Sequence, residues 1–338
     1  MSQLYLMESG IKVGLREGRA VVKNLADGGE CSMPISAVEG ISVFGYAQLS
    51  TQLIRECISR NISIGYYSDD GHYFGRLSSS LSIDPARQKQ QVYLTDDEQF
   101  CLEWAKRIIS AKIRNSIVLL TSLPEVYEFN PDELHGLYHS LDHLNEADSV
   151  DAVLGFEGNA AKCYFTCLPK LLIDESFVFS GRSSRPPKDL FNSMLSYGYS
   201  LFYRNIIGGI ERHGLHPYFA FMHKLRMGHA ALASDLIEEY RAPLVDRTVL
   251  DMVNSCEVDA DGFYKNSAGA IYMNKENAKK LTNRFSELIS KSEKYFLDYG
   301  DKKSYGFQAM LDKKLDSVIS AIEARDASIY EPYVWRPE

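Results

Sequence analysis

Three places in the middle of the chain hold side chains whose types could bind a metal ion. Glu157 lies within LGFEGNAAKCYF (154–165), His223 closes HPYFAFMH (216–223), and SDLIEEYR (234–241) offers Asp235, Glu238 and Glu239. Two carboxylates and a neutral imidazole make a mixed oxygen and nitrogen donor set that suits Mg²⁺ or Mn²⁺. Between the first two places runs FSGRSSRPPKDLFNSMLSYGY (179–199), a basic loop feeding a helical pattern. A hard cation beside a basic loop points to phosphodiester chemistry on nucleic acid. Taken singly, each residue also has a plainer reading. Glu157 could be half of a salt bridge, and His223 could be a satisfied core histidine.

The chemistry these residues would support is specific. A divalent cation would polarise a scissile phosphate and lower the pKa of the attacking oxygen. Water as nucleophile gives nuclease activity; a DNA 3′-OH gives strand transfer. The protein then supplies in-line positioning and charge neutralisation. Arg182, Arg185 and Lys188 in the loop, and Lys224 and Arg226 after the histidine, are candidate DNA contacts. Such contacts carry affinity and salt dependence without reading sequence. The net charge of −8 is acidic for a DNA enzyme, but the charge is unevenly spread. Residues 115–161 hold nine acids and no Lys or Arg, whereas 162–229 hold nine Lys or Arg against four acids. The basic segment therefore falls between the candidate ligands.

The strings GRSSRPPKDLFNSMLSYGY, GLHPYFAFMH and DLIEEYRAPLVDR, in this order, resemble the integrase subunit of the CRISPR adaptation machinery. The resemblance extends over nearly the whole chain. It implies that Glu157, His223 and Glu238 are the catalytic metal ligands, Glu238 being the carboxylate three residues after the aspartate of the family's D-L-x-E string. It implies Mg²⁺ or Mn²⁺ as cofactor and joining of DNA 3′ ends to a repeat array by transesterification. Double-stranded DNA, a second copy of the chain and a small second adaptation protein are the implied partners. Asp235 is left as an outer partner, a water-mediated ligand or a ligand of a second metal. Arg241, three residues beyond Glu238, is placed to orient it. Glu239 reads as a solvated side chain. Two departures stand out. Gly214-Leu215-His216-Pro217 replaces the family's G-L-D-P, and Gly228-His229-Ala230-Ala231-Leu232 replaces G-R-x-S-L.

These residues need a scaffold, and its pattern changes along the chain. Residues 1–84 read as short alternating strands bounded by turns at 26–29 and 69–72, interrupted by one short helix over 49–61. This region is balanced in charge and holds no ligand cluster, so dimer formation and docking are its expected tasks. Asp84-Pro85 ends the β pattern, and the polar stretch 85–94 reads as a linker. Thr95-Asp96-Asp97-Glu98 reads as a capping box with Thr95 as N-cap. From residue 95 to 338 the pattern is helical, apart from a possible small hairpin joining 262–265 to 268–273. The expected fold class is α+β, a small sandwich-like β domain followed by a larger all-α catalytic domain.

The remaining bounds are broad. Hydrophobic residues make up 45% and charged residues 24%, as in globular proteins. No apolar run approaches the roughly 20 residues of a membrane span, and the N-terminus lacks a signal-peptide pattern; a cytoplasmic protein is expected. Cys163 and Cys167 should share one helix face as buried thiols. His135, His139 and His143 form a loose stripe for which a solvated face is expected. The alternatives carried forward are a related mobile-element DNA integrase, a non-catalytic DNA-binding scaffold, and a helical metal hydrolase of small phosphate esters.

Overall fold

The computed structural model describes residues 2–8, 10–68, 73–80, 83–290, 296–298 and 303–336. The chain opens with strands β1 (Ser2–Leu6), β2 (Ile11–Arg16), β3 (Arg19–Asn24), β4 (Glu30–Pro34), β5 (Val38–Phe44) and β6 (Gln48–Leu49). Helix α1 (Thr51–Ser59) follows, then β7 (Ser63–Tyr67) and β8 (Tyr73–Leu77). The strands form two four-stranded sheets, ordered β1-β5-β7-β8 and β4-β3-β2-β6. One cluster of buried side chains takes Leu6, Ile41, Val43 and Ile64 from the first sheet, Val13 and Ala20 from the second, and Leu53 and Cys57 from α1. The sandwich-like expectation is met in this respect, and α1 lies inside the expected range with Ser50 as its N-cap. The turn expected at 69–72 lies outside the described residues.

Strand β5 shows how the two parts of the molecule meet. Its parallel pairing with β1 and β7 buries it at the centre of the first sheet. Successive side chains of a strand point to opposite faces. Ile41 and Val43 face the small core, while Phe44, with Tyr67 of β7, belongs to the larger core of the helical part. The first sheet is thus covered on both faces.

The expected linker is a helix, α2 (Pro85–Leu94). Asp84 caps it by accepting from Ala86 N and Arg87 N, and Pro85 sits in the first turn, where its missing N–H costs nothing. Thr95 is not the cap of the next helix; its hydroxyl donates to Val92 O at the end of α2. Asp97 caps α3 (Glu98–Thr121) instead, accepting from Phe100 N. Helices α4 (Pro131–His143), α5 (Val150–Cys167), α6 (Leu190–Arg212), α7 (Ala231–Ile237) and α8 (Arg247–Asn254) follow. They have side-chain caps at Asn130 (α4), Ser149 (α5) and Asp189 (α6). The chain closes with a hairpin of β9 (Phe263–Lys265) and β10 (Ile271–Met273), helix α9 (Lys275–Ser290), a second hairpin of β11 (Phe296–Asp298) and β12 (Lys303–Tyr305), and α10 (Phe307–Ala324). The first hairpin was expected; the second was not, so the helical part carries two small β elements.

Helix α3 is the spine of the helical part. Trp104, Ile108, Ile109, Ile113, Leu119 and Leu120 are buried along it. Fully burying an aliphatic side chain of this size stabilises by about 1.5–3 kcal/mol. Helix α3 packs against α5 and against the segment 238–246. No helix among the described residues is long and apolar enough to cross a membrane. Cys163 and Cys167 do share a face: each thiol lies against Glu133 O, at 3.3 and 3.4 Å.

Candidate active site

Three neighbouring segments present the expected ligands to one cavity of about 730 Å³. Glu157 comes from the middle of α5, whose start is fixed by Ser149. His223 comes from the irregular stretch between α6 and α7. Glu238 follows α7 in a single 3₁₀ turn (Glu238–Tyr240), after which Arg241–Asp246 form a π-helical turn. Such a turn inserts an extra residue into a helix and is frequent at functional sites. Here both of its end residues, Arg241 and Asp246, line the cavity.

One face of α3 organises the site. Trp104, Lys112 and Asn115 lie on it at spacings of eight and three, which stack side chains along one helix face. Trp104 Nε1 donates to Asp235 Oδ2 at 3.1 Å. Lys112 Nζ pairs with Glu238 Oε2 at 2.7 Å and with Glu157 Oε1. Asn115 Nδ2 donates to Glu239 O at 2.7 Å. A single helix thus anchors the acidic run 235–239 at three points.

Asp235 is fully buried and holds His223. Its carboxylate accepts the backbone N–H groups of Phe221, Met222 and His223, at 3.0–3.1 Å. It also meets His223 Nδ1 at 2.8 Å. An Nδ1–H donated to Asp235 leaves the Nε2 lone pair of a neutral imidazole for a ligand. Burial pulls the His223 pKa down, but the bond and charge of Asp235 outweigh it, and the net shift is upward.

Glu238 is held ionised. Burial alone would raise its pKa, yet Arg241 and Lys112 bring it down to about 2. Arg241 does orient it, Nε donating to Oε2 at 3.0 Å. Lys112 is partly buried, and desolvation lowers its pKa, but Glu238 and Glu157 raise it further, so it stays charged. The sequence reading missed Lys112. Its signal was a lone lysine on the apolar stripe of α3, between Ile109 and Ile113.

Glu239 is a correction. It is not solvated but fully buried, on the side of the turn away from Lys112. Tyr330 OH donates to it at 2.6 Å, and Tyr333 N also donates to it. Burial pushes its pKa up to about 7.

The basic candidates divide. Arg182 is engaged internally, donating to Ser183 O and Asn192 Oδ1 at 2.8 Å and to Ser196 Oγ at 3.1 Å. Both Arg182 and Arg241 lie over the Tyr199 ring, at 5.2 and 4.5 Å. Asn192, fully buried, also accepts from Ser183 N and donates to Gly181 O, so it shapes the loop. Arg185 and Lys188 are exposed. Lys224 and Arg226 are exposed on a tight turn closed by a bridge between Arg226 and His229, with Gly228 in the left-handed region at φ +71°. Lys224 makes a 3.3 Å surface pair with Asp151. His229, one of the two departures, bonds to Ser234 Oγ at 3.1 Å. His216, the other, receives support from α2: Gln91, fully buried, donates to His216 O and Phe219 O and accepts from His216 N. Of the histidines of α4, His139 and His143 stack with ring centroids 4.3 Å apart, while His135 and His139 are tilted at 5.7 Å.

Whether the donor set fits a metal can be judged from these contacts. Among the described residues no three His, Cys, Asp or Glu side chains are grouped so as to hold an ion. In the cleft, the Lys112 ammonium takes the space between Glu157 and Glu238. It is a stand-in cation, and two carboxylates converging on it with an imidazole nearby have the donor chemistry for Mg²⁺ or Mn²⁺. The set fits by type and by convergence on a positive charge.

The CRISPR associated protein Cas1 family matches residues 4–287. The CRISPR-associated endonuclease Cas1 of Mycobacterium tuberculosis is 42% identical over 328 residues, covering 96% of this chain and 95% of that protein. Among solved structures, a casposase bound to integration product superposes with a TM-score of 0.82 at 23% identity, over all of this chain and 96% of that one. The Cas6-RT-Cas1–Cas2 complex gives 0.78 at 21% identity, over all of this chain and 36% of that one.

Proposed function

The chain belongs to the Cas1 family of CRISPR-associated proteins, and on that premise we propose that it is a divalent-metal-dependent DNA endonuclease and integrase of CRISPR adaptation. It joins the 3′ ends of short DNA duplexes to a repeat array by transesterification. The observation that carries this reading is the convergence of Glu157 and Glu238 on one partly buried cation, with His223 beside them, in a cavity rimmed by basic side chains. Glu157, Glu238 and His223 Nε2 would hold Mg²⁺ or Mn²⁺. When bound, the ion would polarise the scissile phosphate and activate the attacking oxygen.

The chain's own residues do the rest. Asp235 fixes the ring and tautomer of His223. Arg241 keeps Glu238 ionised and aimed. Arg185, Lys224 and Arg226 stand at the rim, and Lys188 is exposed on the same loop as Arg185, where they can meet a DNA backbone. Arg182 and Asn192 hold the loop that carries the first two. Residues 1–84 serve dimer formation and docking of the small second adaptation protein, and 95–338 carry the chemistry. The Cas1–Cas2 complex among the similar structures supports a second protein as partner, and the casposase bound to integration product supports strand transfer as the reaction. The 42% identity to a CRISPR-associated endonuclease over nearly the whole chain favours adaptation over a mobile-element role.

The test is a strand-transfer assay with the protein, its small partner, a short duplex and a supercoiled plasmid carrying the array. Joined product with Mn²⁺ and none with chelator is expected. Metal-independent joining, or no joining and no cleavage under any metal, overturns the reading.

A further inference from the structure

Lys112 is the one cation in contact with both Glu157 and Glu238 among the described residues, and it is partly buried between them. It projects from the middle of α3, a 24-residue helix whose flanking side chains are packed in the core. The ammonium cannot leave by a helix shift without disturbing Trp104 and Asn115, which tie the same face to Asp235 and to the Glu239 carbonyl. Its four-carbon stem can swing, however, and the cavity gives it room. An ammonium and a divalent ion cannot both occupy the gap between two carboxylates, because the repulsion of buried like charges is large.

We propose that Lys112 is an internal counter-ion that a divalent metal must displace, and that a DNA phosphate receives the displaced ammonium, so that metal and DNA bind with positive cooperativity. This rests on the reading of Glu157, His223 and Glu238 as metal ligands. Its physical content is a charge balance. Without metal, Lys112 and Arg241 neutralise Glu157 and Glu238. With metal, the site holds two further positive charges, and the freed ammonium loses its carboxylate partners while still facing the ion across a partly desolvated cleft, which is unfavourable. A backbone phosphate in the cavity supplies the missing negative charge. Lys112 is therefore a positioning residue that disfavours metal loading of the empty enzyme, and with it metal-dependent cleavage before DNA is seated.

The experiment is Mn²⁺ titration followed by the electron paramagnetic resonance signal of free aquo ion, with and without a short duplex, using duplex alone as background. For the wild type, the duplex should tighten Mn²⁺ binding by a factor in the usual coupling range, on the order of 5–150-fold. Lys112→Gln should bind Mn²⁺ about as tightly without DNA as the wild type does with it, and the duplex should add little. Lys106→Gln, at a half-buried residue of α3 bonded to Asn145 O, should behave as wild type. A purely structural lysine would give the opposite sign, weaker Mn²⁺ binding in Lys112→Gln. Equal or weaker binding in that variant, or a wild-type affinity indifferent to DNA, overturns the proposal. If Lys112→Gln does not fold, the wild-type pair of titrations decides alone. Failure of the metal reading looks different: no Mn²⁺ bound by the wild type in either condition, or binding that survives Glu238→Gln unchanged.

Discussion

Glu238 and Glu239 are adjacent, both are buried, and they sit in opposite electrostatic worlds. Glu238 faces Lys112 and Arg241, which hold its pKa down to about 2. Glu239 faces the C-terminal segment, where Tyr330 OH and Tyr333 N donate to it and burial pushes its pKa up to about 7. One side of the turn is built to sustain negative charge, and the other side to tolerate a carboxyl that takes up a proton near neutral pH. The difference shows what a buried acid is for. An acid ringed by cations is ready to be shared with another cation or with a phosphate nearby. An acid ringed by hydroxyl and amide donors ties chain segments together, here the turn after α7 to residues 330–333.

The largest effect that would break this comparison comes from exchanging a residue of the proposed ligand set. His223→Ala removes a donor outright, and loss of even an outer partner of a ligand costs about 10–100-fold in metal affinity. Integration should fall by at least that factor, while the far-UV circular dichroism spectrum stays as in the wild type. Glu239→Gln, one residue from the proposed ligand Glu238 but on the other side, should keep integration within a few fold. A His223→Ala protein that integrates at the wild-type rate, or a Glu239→Gln protein as inactive as Glu238→Gln, would show that the two sides are not functionally distinct.

The second effect is on stability. Glu239 has its folded pKa raised from the ordinary 4.5 to about 7. Between those values the folded protein holds a proton that the unfolded chain has released. Its contribution to stability is therefore complete below about pH 4.5 and is lost as pH rises through about 7. The loss is on the order of a few kcal/mol for a shift of this size. Glu239→Gln carries no such proton, so its stability relative to the wild type should rise from pH 5 to pH 8. Urea unfolding midpoints across that range measure it. A pH-independent difference between the two proteins would mean that Glu239 is ionised throughout.

Much of this arrangement was legible in the chain, and what was not has a physical reason. The helix bearing Glu157 was visible because Ser149 caps it and small and apolar residues follow. The short α1 was visible from Leu53 and Cys57. Helix α2 was not, because Pro85–Gln91 has no apolar periodicity; it folds through the Asp84 cap and through Gln91, whose partners lie about 125 residues away. The cap of α3 slipped from Thr95 to Asp97 because aspartate is the better acceptor and Thr95 already serves α2. Lys112 and Glu239 were misjudged or missed for one reason: their partners are distant in sequence. A charged residue on a helix reads as solvated until the segment that covers it is known.

The smallest effect separates the cleft's walls from its rim. Sequence alone groups Arg182 with Arg185 and Lys188 as a phosphate contact, yet its guanidinium is spent on Asn192, Ser183 and Ser196 and lies over Tyr199. Arg185 and Lys188 are exposed on the same loop. If the loop meets duplex DNA, Arg185→Gln with Lys188→Gln leaves up to two phosphates without a neutralising partner. The slope of log affinity against log salt should then flatten by roughly 0.9 for each of those phosphates. Arg182→Gln should leave that slope nearly unchanged, because few counter-ions are released by a side chain already bonded within the protein. It should instead lower the thermal midpoint, since buried Asn192 loses a donor and the loop its clamp. Duplex binding across a salt series, paired with melting curves, resolves the two roles. A slope that flattens for Arg182→Gln and not for the double variant would reverse the assignment. The DNA would then run over Tyr199, deep in the cavity, rather than along its rim.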